Sequence, residues 1–294
     1  MDLPLSPASR VVLVDKPVGP TSFDVVRAAR RGLKARVGHA GTLDPFASGL
    51  LLVMIGQATR VSSLLMGLPK EYEVTVQFGA VSTTADPTGD ITPTGGRASA
   101  RQVVAALDRF RGGIRQRVPL TSAVKVDGER LYKKAHRGEA AETPEREVTV
   151  YDLIMTSFDE EAQKATLIVR TASGVYVRVL AEDIGEAIGA GGYALALRRT
   201  RIGTFKVENA LGFDELAPER YEVGGPGVLS LDEALGFLSR VDLDEADARR
   251  AANGNELIGG LPGRARVYGG GRMLGVYERQ GDVSRPLVIF PGAA

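Results

Sequence analysis

The segment Val37-Gly38-His39-Ala40-Gly41-Thr42-Leu43-Asp44-Pro45 is the most informative stretch of the chain. Its small residues form a tight loop in which backbone can approach a ligand closely, and Pro45 biases the preceding residue away from the helical region. Asp44 is therefore expected on a rigid loop beside His39. Taken alone, an Asp-Pro pair more often marks only a turn, and a histidine in such a loop is more often structural.

The elements on both sides of this loop do not alternate regularly, which predicts an α+β protein with a mixed sheet. Strands are predicted at 10–14, 50–55, 72–78, 148–158, 165–171 and 175–179, and further short strands at 265–268, 273–277 and 287–290. Helices are predicted at 22–32, with Phe23, Val26 and Ala29 on one stripe, and at 101–110, 180–188 and 229–238.

Length and composition bound the domain organisation. A chain of 294 residues with 44% apolar and 25% charged residues can bury a full core, so it is neither disordered nor fibrous. We expect a large domain over 1–245 and a small β domain over 246–294. The chain has no Cys and two His, which excludes disulfides and thiolate metal sites and makes a metal centre or a His-dependent triad improbable.

The net charge of +1 conceals a strong segregation of charge along the chain. Residues 1–70 hold nine basic and four acidic side chains, and residues 97–137 hold eleven and three. Residues 207–247 reverse this balance, with eleven acidic and two basic side chains. Basic blocks that a fold brings together can bind a polyanion, although accidental clustering on a solvated surface is an equal alternative.

No signal peptide or long apolar run is visible. Residues 1–10 lack a basic segment followed by an apolar one, and no stretch has 18 uninterrupted apolar residues. We therefore expect a cytoplasmic protein that does not associate with membranes.

Two further groups of residues suit RNA chemistry. A strand over 175–179 would place Tyr176 and Arg178 on one face, where a base could stack on the ring and the guanidinium could hold a carboxylate or phosphate. Lys125 and the basic stretch 132–137 suit phosphate contacts combined with stacking. A half-buried strand edge and an exposed charged helix explain the same residues without any ligand.

The order of the motifs is more specific than any one of them. The chain contains, in sequence, Asp15-Lys16-Pro17 with Gly19 and Ser22, Gly38-His39-Ala40-Gly41-Thr42-Leu43-Asp44-Pro45, Lys70-Glu71-Tyr72, Ser122-Ala123-Val124-Lys125, Tyr176-Val177-Arg178 and Leu197-Arg198-Arg199. From about residue 10 to residue 205 this series closely resembles the bacterial tRNA pseudouridine synthase B family.

The resemblance implies roles for individual residues. Asp44 matches the catalytic aspartate of the family, and Arg178 matches the arginine paired with that carboxylate. His39 matches the histidine that enters the T-loop of tRNA, and Tyr72 matches the tyrosine stacked on the target base. The remaining matched residues are expected to contact the RNA; they are Tyr176, Leu197, Lys16 and Lys125.

The resemblance also implies a fold and a reaction. We expect the pseudouridine synthase fold, a mainly antiparallel sheet flanked by helices, with a thumb-like insertion at about 118–147 and a PUA-like RNA-binding tail. The expected reaction converts uridine 55 of tRNA to pseudouridine without a metal or cofactor, in a monomer that needs no protein partner. Thr83 stands where the family commonly has Asp, whereas Asp86 keeps a later acidic position and a supporting role.

Several alternatives remain open from the sequence. A non-catalytic RNA-binding or tRNA-folding protein would use the same basic blocks but would not need Asp44. A nucleoside or glycoside hydrolase would need a second acid near Asp44. Guide-dependent pseudouridine synthases share the motifs. Asp44 could attack C1′, assist an elimination across C1′ and C2′, or add to C6 of the base, and Tyr72 is the candidate base for the C5 proton.

Overall fold

A computed structural model describes residues 9–122, 124–126, 128–131, 137 and 143–290. The α-helices are α1 (Ser22–Arg30), α2 (Ser62–Met66), α3 (Ala100–Leu107), α4 (Val177–Ile188), α5 (Leu231–Ala234) and α6 (Glu245–Ala252). The first strands are β1 (Arg10–Lys16), β2 (Val37–Ala40), β3 (Ser48–Ile55), β4 (Lys70–Phe78), β5 (Ala80–Ser82), β6 (Ile91–Pro93), β7 (Gly112–Arg117), β8 (Lys125–Val126), β9 (Glu129–Arg130) and β10 (Glu145–Asp159). The remaining strands are β11 (Lys164–Thr171), β12 (Gly192–Ile202), β13 (Phe205–Lys206), β14 (Leu211–Gly212), β15 (Val228–Ser230), β16 (Ser239–Asp242), β17 (Leu257–Ile258), β18 (Arg264–Gly269), β19 (Arg272–Gln280) and β20 (Val283–Ile289).

A large mixed sheet forms the centre of the molecule, in the order β14-β1-β3-β12-β4-β11-β10-β7, with β13, β15 and β2 paired alongside. The β1–β14 and β3–β12 pairs are parallel, and the other pairs of this sheet are antiparallel. β4 alternates buried residues with residues that are partly buried or exposed, because one face of the strand packs against the core. The predicted mixed, mainly antiparallel sheet is confirmed.

Helix α1 begins as the sequence predicts but presents a different face. The Thr21 side chain caps the helix and forms a capping box with Asp24, which satisfies backbone donors of the first turn. Val25, Val26 and Ala29 are buried. Phe23, predicted on the buried stripe, is instead exposed, because the buried stripe of the helix runs through the two valines and leaves Phe23 on the solvent side.

The predicted helix over 229–238 is wrong in its first part. Residues Val228–Ser230 form β15, which pairs with β1, and the helix that follows is only the single turn α5. Ser230 caps that turn, so the chain uses the apolar residues first as an edge strand and then as a helix. The strands predicted at 148–158 and 165–171 are confirmed as β10 and β11, and the structure pairs them as an antiparallel hairpin.

The C-terminal strands form a separate five-stranded sheet in the order β16-β18-β19-β20-β17. Its first strand, β16, precedes residue 246 and pairs in parallel with β18. Met273, Val276 and Phe290 from this part pack in the same apolar cluster as Val11 and Leu52 of the central sheet. The C-terminal sheet therefore packs against the residues of β1 and β3 that belong to this cluster.

Two small hairpins lie outside these sheets, β5–β6 and β8–β9. The second falls within 118–147, the range predicted as a thumb. Residues 132–136, including His136, lie outside the described residues. No helix in the described part of the chain is long and apolar enough to cross a membrane.

Candidate active site

The loop that carries Asp44 connects β2 to β3 and is fastened to helix α1. Gly41 adopts a φ of 94°, a conformation that favours glycine. The Ser22 hydroxyl accepts a hydrogen bond from the Leu43 amide (2.8 Å) and donates one to the Leu43 carbonyl (3.0 Å). Both groups of Leu43 are thus satisfied by one buried side chain, so the residue before Asp44 is fixed in place.

Asp44 forms an ion pair with Arg178, whose Nε lies 3.0 Å from Asp44 Oδ2. The side chain of Arg178 is only 2% exposed, whereas that of Asp44 is 32% exposed. Arg178 Nη1 also donates to the Thr84 carbonyl (2.9 Å) and to Thr121 Oγ1 (2.6 Å), and it lies 3.5 Å from Asp86 Oδ2. The guanidinium is therefore rigidly held, and it presents Nε to a carboxylate that solvent can reach.

The protonation of Asp44 depends on opposing effects. Burial raises the pKa of Asp44 above its usual value, the Arg178 guanidinium lowers it, and the Asp86 carboxylate raises it again. Lys16 has a smaller lowering effect. Arg178 lowers the pKa of Asp44, but burial raises this pKa by more. Asp44 therefore titrates at a higher pH than an exposed aspartate.

Arg178 reaches the site from a helix and not from the predicted strand. α4 begins at Val177, with Tyr176 as the residue before it, so the prediction of a strand over 175–179 with both side chains on one strand face is wrong. The Gln116 side chain explains the turn: it accepts a hydrogen bond from the Tyr176 amide (2.8 Å) and donates one to the Tyr176 carbonyl (3.0 Å). These two hydrogen bonds fix the backbone of Tyr176, and the helix begins at the next residue. The apolar residues of the helix pack against the sheet.

Tyr176 lies beside the basic residue Arg146, whose guanidinium carbon is 4.7 Å from the centre of the tyrosine ring. This distance is within the range of a cation–π contact. The ring is half-buried, so it combines a partly covered face with access to solvent.

Tyr72 and Leu197 belong to one apolar cluster together with residues of the Asp44 loop. Both are buried, Tyr72 on β4 and Leu197 on β12, and they share the cluster with Leu43 and Phe46 from the Asp44 loop and with Val177. The structure thus brings the Asp44 loop, Tyr72, Leu197 and the start of α4 into one apolar cluster, on which a base could rest.

Lys16 and His39 lie in the same region in desolvated surroundings. The Lys16 ammonium is buried and donates to the carbonyls of Pro17 (2.8 Å) and Pro20 (2.9 Å). Burial lowers the pKa of Lys16 to about 8, against the opposing effect of Asp44. His39 is half-buried, and burial lowers its pKa, as does the nearby Arg199. Its Nδ1 finds no hydrogen-bond partner among the described residues.

Arg199 is a buried residue of this region to which the sequence assigns no role. Its side chain is 1% exposed. Nε donates to the Leu50 carbonyl (2.7 Å) and Nη2 to the Gly41 carbonyl (3.1 Å), and the residue pairs with Tyr72 across β12 and β4. The alternation of side chains along a strand could have indicated that Arg198 and Arg199 lie on opposite faces of the sheet. Arg198 is on the other face, where it donates two hydrogen bonds of 3.0 and 2.6 Å to Asp15.

The predicted RNA contact of Lys125 stays a prediction. The backbone of Lys125 belongs to hairpin β8–β9, and its side chain lies outside the described residues. Within the described ranges, no group of three or more His, Asp or Glu side chains could hold a metal ion.

Models of known protein families match most of the sequence. The model for the N-terminal domain of the TruB family pseudouridylate synthases matches residues 30–177, and the model for the tRNA pseudouridylate synthase B C-terminal domain matches residues 178–229. The chain belongs to the TruB family of pseudouridylate synthases. It is therefore an enzyme of the class that isomerises uridine in RNA to pseudouridine, as the motifs predict.

Curated relatives align over nearly the whole chain. A tRNA pseudouridine synthase B from Mycobacterium tuberculosis is 38% identical, covering 96% of this chain and 98% of its own length. Those from Thermobifida fusca and Aquifex aeolicus are 40% and 37% identical, covering 97% and 94% of this chain and 100% and 97% of their own lengths.

Solved structures confirm the fold. An H/ACA RNP bound to a substrate RNA containing 2′-deoxyuridine matches with a TM-score of 0.72 and 22% identity, covering 97% of this chain and 86% of that chain. A Cbf5-Nop10-Gar1 complex matches with a TM-score of 0.74 and 23% identity, covering 97% of this chain and 85% of that one.

Proposed function

We propose that this enzyme isomerises uridine 55 in the T-loop of tRNA and that it does so without a cofactor. The observation that carries the proposal is the Asp44–Arg178 ion pair of 3.0 Å at a solvent-accessible carboxylate. The relatives named tRNA pseudouridine synthase B support tRNA as the substrate. The motif resemblance supports the T-loop position, because His39 and Tyr72 match residues that handle the T-loop and its target base.

The reaction needs one reactive carboxylate. The N1–C1′ bond of the uridine breaks, the base rotates and C5–C1′ forms; one proton is lost from C5 and one is gained at N1, so the product is an isomer of the substrate. An ionised Asp44 could attack C1′, assist elimination across C1′ and C2′, or add to C6. Each route uses the carboxylate in its charged form, which the neighbouring Arg178 favours.

Arg178 and Asp86 hold the catalytic carboxylate in position. Asp86 is buried, and its Oδ1 accepts hydrogen bonds from Thr84 Oγ1 (2.8 Å) and the Thr88 amide (2.9 Å). Asp86 therefore acts behind Arg178 and does not itself reach the substrate. This arrangement argues against a glycoside hydrolase mechanism, in which a second carboxylic acid would protonate the leaving group.

The target uridine must leave the stack of the T-loop to reach Asp44. Extrusion of a base costs on the order of a few kcal/mol, which stacking on Tyr72 and insertion of His39 into the vacated space would offset. Leu197 and Tyr176 would contact the same nucleotide. Tyr72 is the candidate for removing the C5 proton, and the buried Arg199 is its cross-strand neighbour.

Other parts of the chain would bind the rest of the RNA. We assign residues 1–245 to the catalytic domain and residues 246–294 to a PUA-like RNA-binding domain, whose sheet also includes β16. The segment 118–147 would act as a thumb that closes on the RNA, with Lys125 and Lys16 as further contacts to it. The enzyme would act as a monomer without a protein partner.

A bare T-stem-loop transcript labelled with tritium at C5 of uridine 55 tests this proposal. The purified enzyme is expected to release the tritium without any added guide RNA, protein or metal, and pseudouridine should appear at that position. The matched control is the same transcript with cytidine at position 55 and label at other uridines. Absence of release would refute the substrate assignment, and free uracil among the products would identify a hydrolase.

A further inference from the structure

An exposed apolar rim borders the catalytic loop, formed by Val18, Phe23 and Pro45. Val18 and Phe23 are 64% and 66% exposed, and Pro45, next to Asp44, is exposed as well. Exposed apolar side chains on neighbouring segments can form an interaction surface. None of these three residues has a role in the proposed reaction.

The rim is built rigidly onto the active site. The Gly19 amide donates a hydrogen bond to the Pro45 carbonyl (2.8 Å), which joins the turn containing Val18 to the Asp44 loop. Ser22, which precedes Phe23, holds both backbone groups of Leu43. Phe23 therefore occupies a fixed position relative to Asp44, as a preorganised binding surface requires.

The surface beyond the rim is strongly basic. Residues 17–36 contain five basic side chains, Arg27, Arg30, Arg31, Lys34 and Arg36, and one acidic side chain, Asp24. All five basic side chains are exposed, and in the described part of the chain only Arg27 of the five forms an ion pair, with Asp24. The Arg27 guanidinium carbon also lies 5.8 Å from the centre of the Phe23 ring.

We propose that Phe23 is a stacking platform for an RNA base other than the flipped uridine, with the backbone phosphates beside that base bound along α1 by Arg27 and Arg30. An aromatic ring next to guanidinium groups is the combination that binds unstacked bases together with their phosphates. The excess of positive charge favours a polyanion over a protein surface as the occupant. An RNA that places a uridine at Asp44 would lie close to this rim, because the rim is joined to the Asp44 loop; the proposal therefore rests on the proposed function.

Fluorescence offers a direct test because the chain contains no tryptophan. A Phe23→Trp variant carrying Asp44→Asn, so that turnover does not occur, should lose a large part of its emission when the T-stem-loop is added. The matched control is Phe237→Trp in the same background, since Phe237 is also an exposed phenylalanine but lies in the acidic segment 207–247. Unchanged emission of the Phe23→Trp protein at saturating RNA would overturn the proposal.

Affinity measurements test the energetic contribution. Phe23→Ala should raise the Kd for the T-stem-loop about fivefold or more, Phe23→Tyr should restore most of the affinity, and thermal stability should stay near wild type because the side chain is exposed. Arg27→Gln should reduce the slope of log K against log salt by about one unit. If Phe23→Ala changes the oligomeric state in sedimentation and leaves the RNA affinity unchanged, the rim binds another copy of the chain and the proposal is wrong.

The two proposals fail in different ways. If the wild-type enzyme does not convert the T-stem-loop, the substrate assignment fails irrespective of Phe23. If the wild-type enzyme converts it while Phe23→Ala binds it equally well, only the stacking platform is refuted.

Discussion

Asp44 and Asp86 contact the same guanidinium through different nitrogens of Arg178, Nε at 3.0 Å and Nη1 at 3.5 Å. The side chain of Asp44 is about a third exposed, whereas that of Asp86 is buried and hydrogen-bonded to two threonines. The two carboxylates are therefore chemically unequal although they share one cation. Solvent can reach the Asp44 carboxylate, whereas the Asp86 carboxylate is covered and lies beside the arginine.

Neutralising each carboxylate should have different consequences. We expect Asp44→Asn to lower the rate of pseudouridine formation by at least about 10³-fold, because the reactive group is lost. Asp86→Asn should retain measurable turnover, because Arg178 keeps its hydrogen bonds to Thr84 and Thr121. Single-turnover release of tritium from the T-stem-loop measures both rates. A rate near wild type in Asp44→Asn would refute the assignment of Asp44.

The acid side of the pH profile should report the ionisation of Asp44. Burial raises the pKa of Asp44, and the reaction uses the unprotonated form, so activity should fall as the pH decreases through this pKa. Asp86→Asn removes a neighbouring negative charge and should move the acid limb to lower pH, whereas Arg178→Gln removes the cation and should move it to higher pH. Single-turnover rates measured as a function of pH would detect the shifts. Shifts of the same sign in both variants would contradict this account.

Tyr72 should affect turnover more than RNA affinity. Tyr72→Leu removes the ring on which the target base would stack but leaves the phosphate contacts of the protein in place. We expect a large loss in kcat and only a small change in Kd by filter binding. Tyr72→Phe keeps the ring and deletes the hydroxyl, so it separates stacking from proton removal. If Tyr72→Leu weakens RNA binding without an effect on kcat, the residue acts in binding alone.

Gly185 on α4 is predicted to be essential for packing. A Cβ at this position would lie 2.5 Å from the Gly191 carbonyl carbon, which is backbone and cannot rotate away. Gly185→Ala should lower the free energy of unfolding by about 1–3 kcal/mol or more. Gly113→Ala is the matched control, because a Cβ at Gly113 meets no atom within 4 Å, and its effect should stay within about 0.5 kcal/mol. Urea denaturation of both variants measures the difference.

The sequence predicts which residues form this site better than it predicts the secondary structure that carries them. Alternating apolar residues predict β4 and its neighbours because period-two burial is a local property. The start of α4 at Val177 is not predictable in this way, since the Gln116 side chain that binds Tyr176 comes from a strand sixty residues earlier. The burial of Arg199 is not predictable from the sequence for a related reason. Its burial depends on the carbonyls of Gly41 and Leu50, which only the folded sheet brings within reach.

The position of β12 has a consequence for the synthesis of this protein. β12 lies between β3 and β4 in the central sheet, although both of those strands are translated long before it. Until residue 202 has left the ribosome, the two halves of the sheet have no shared neighbour, and Asp44 and Tyr72 stand on separate, unjoined pieces. At ordinary elongation rates this interval lasts on the order of ten seconds. During this interval the edges of β3 and β4 that later pair with β12 are unpaired, and exposed strand edges favour aggregation.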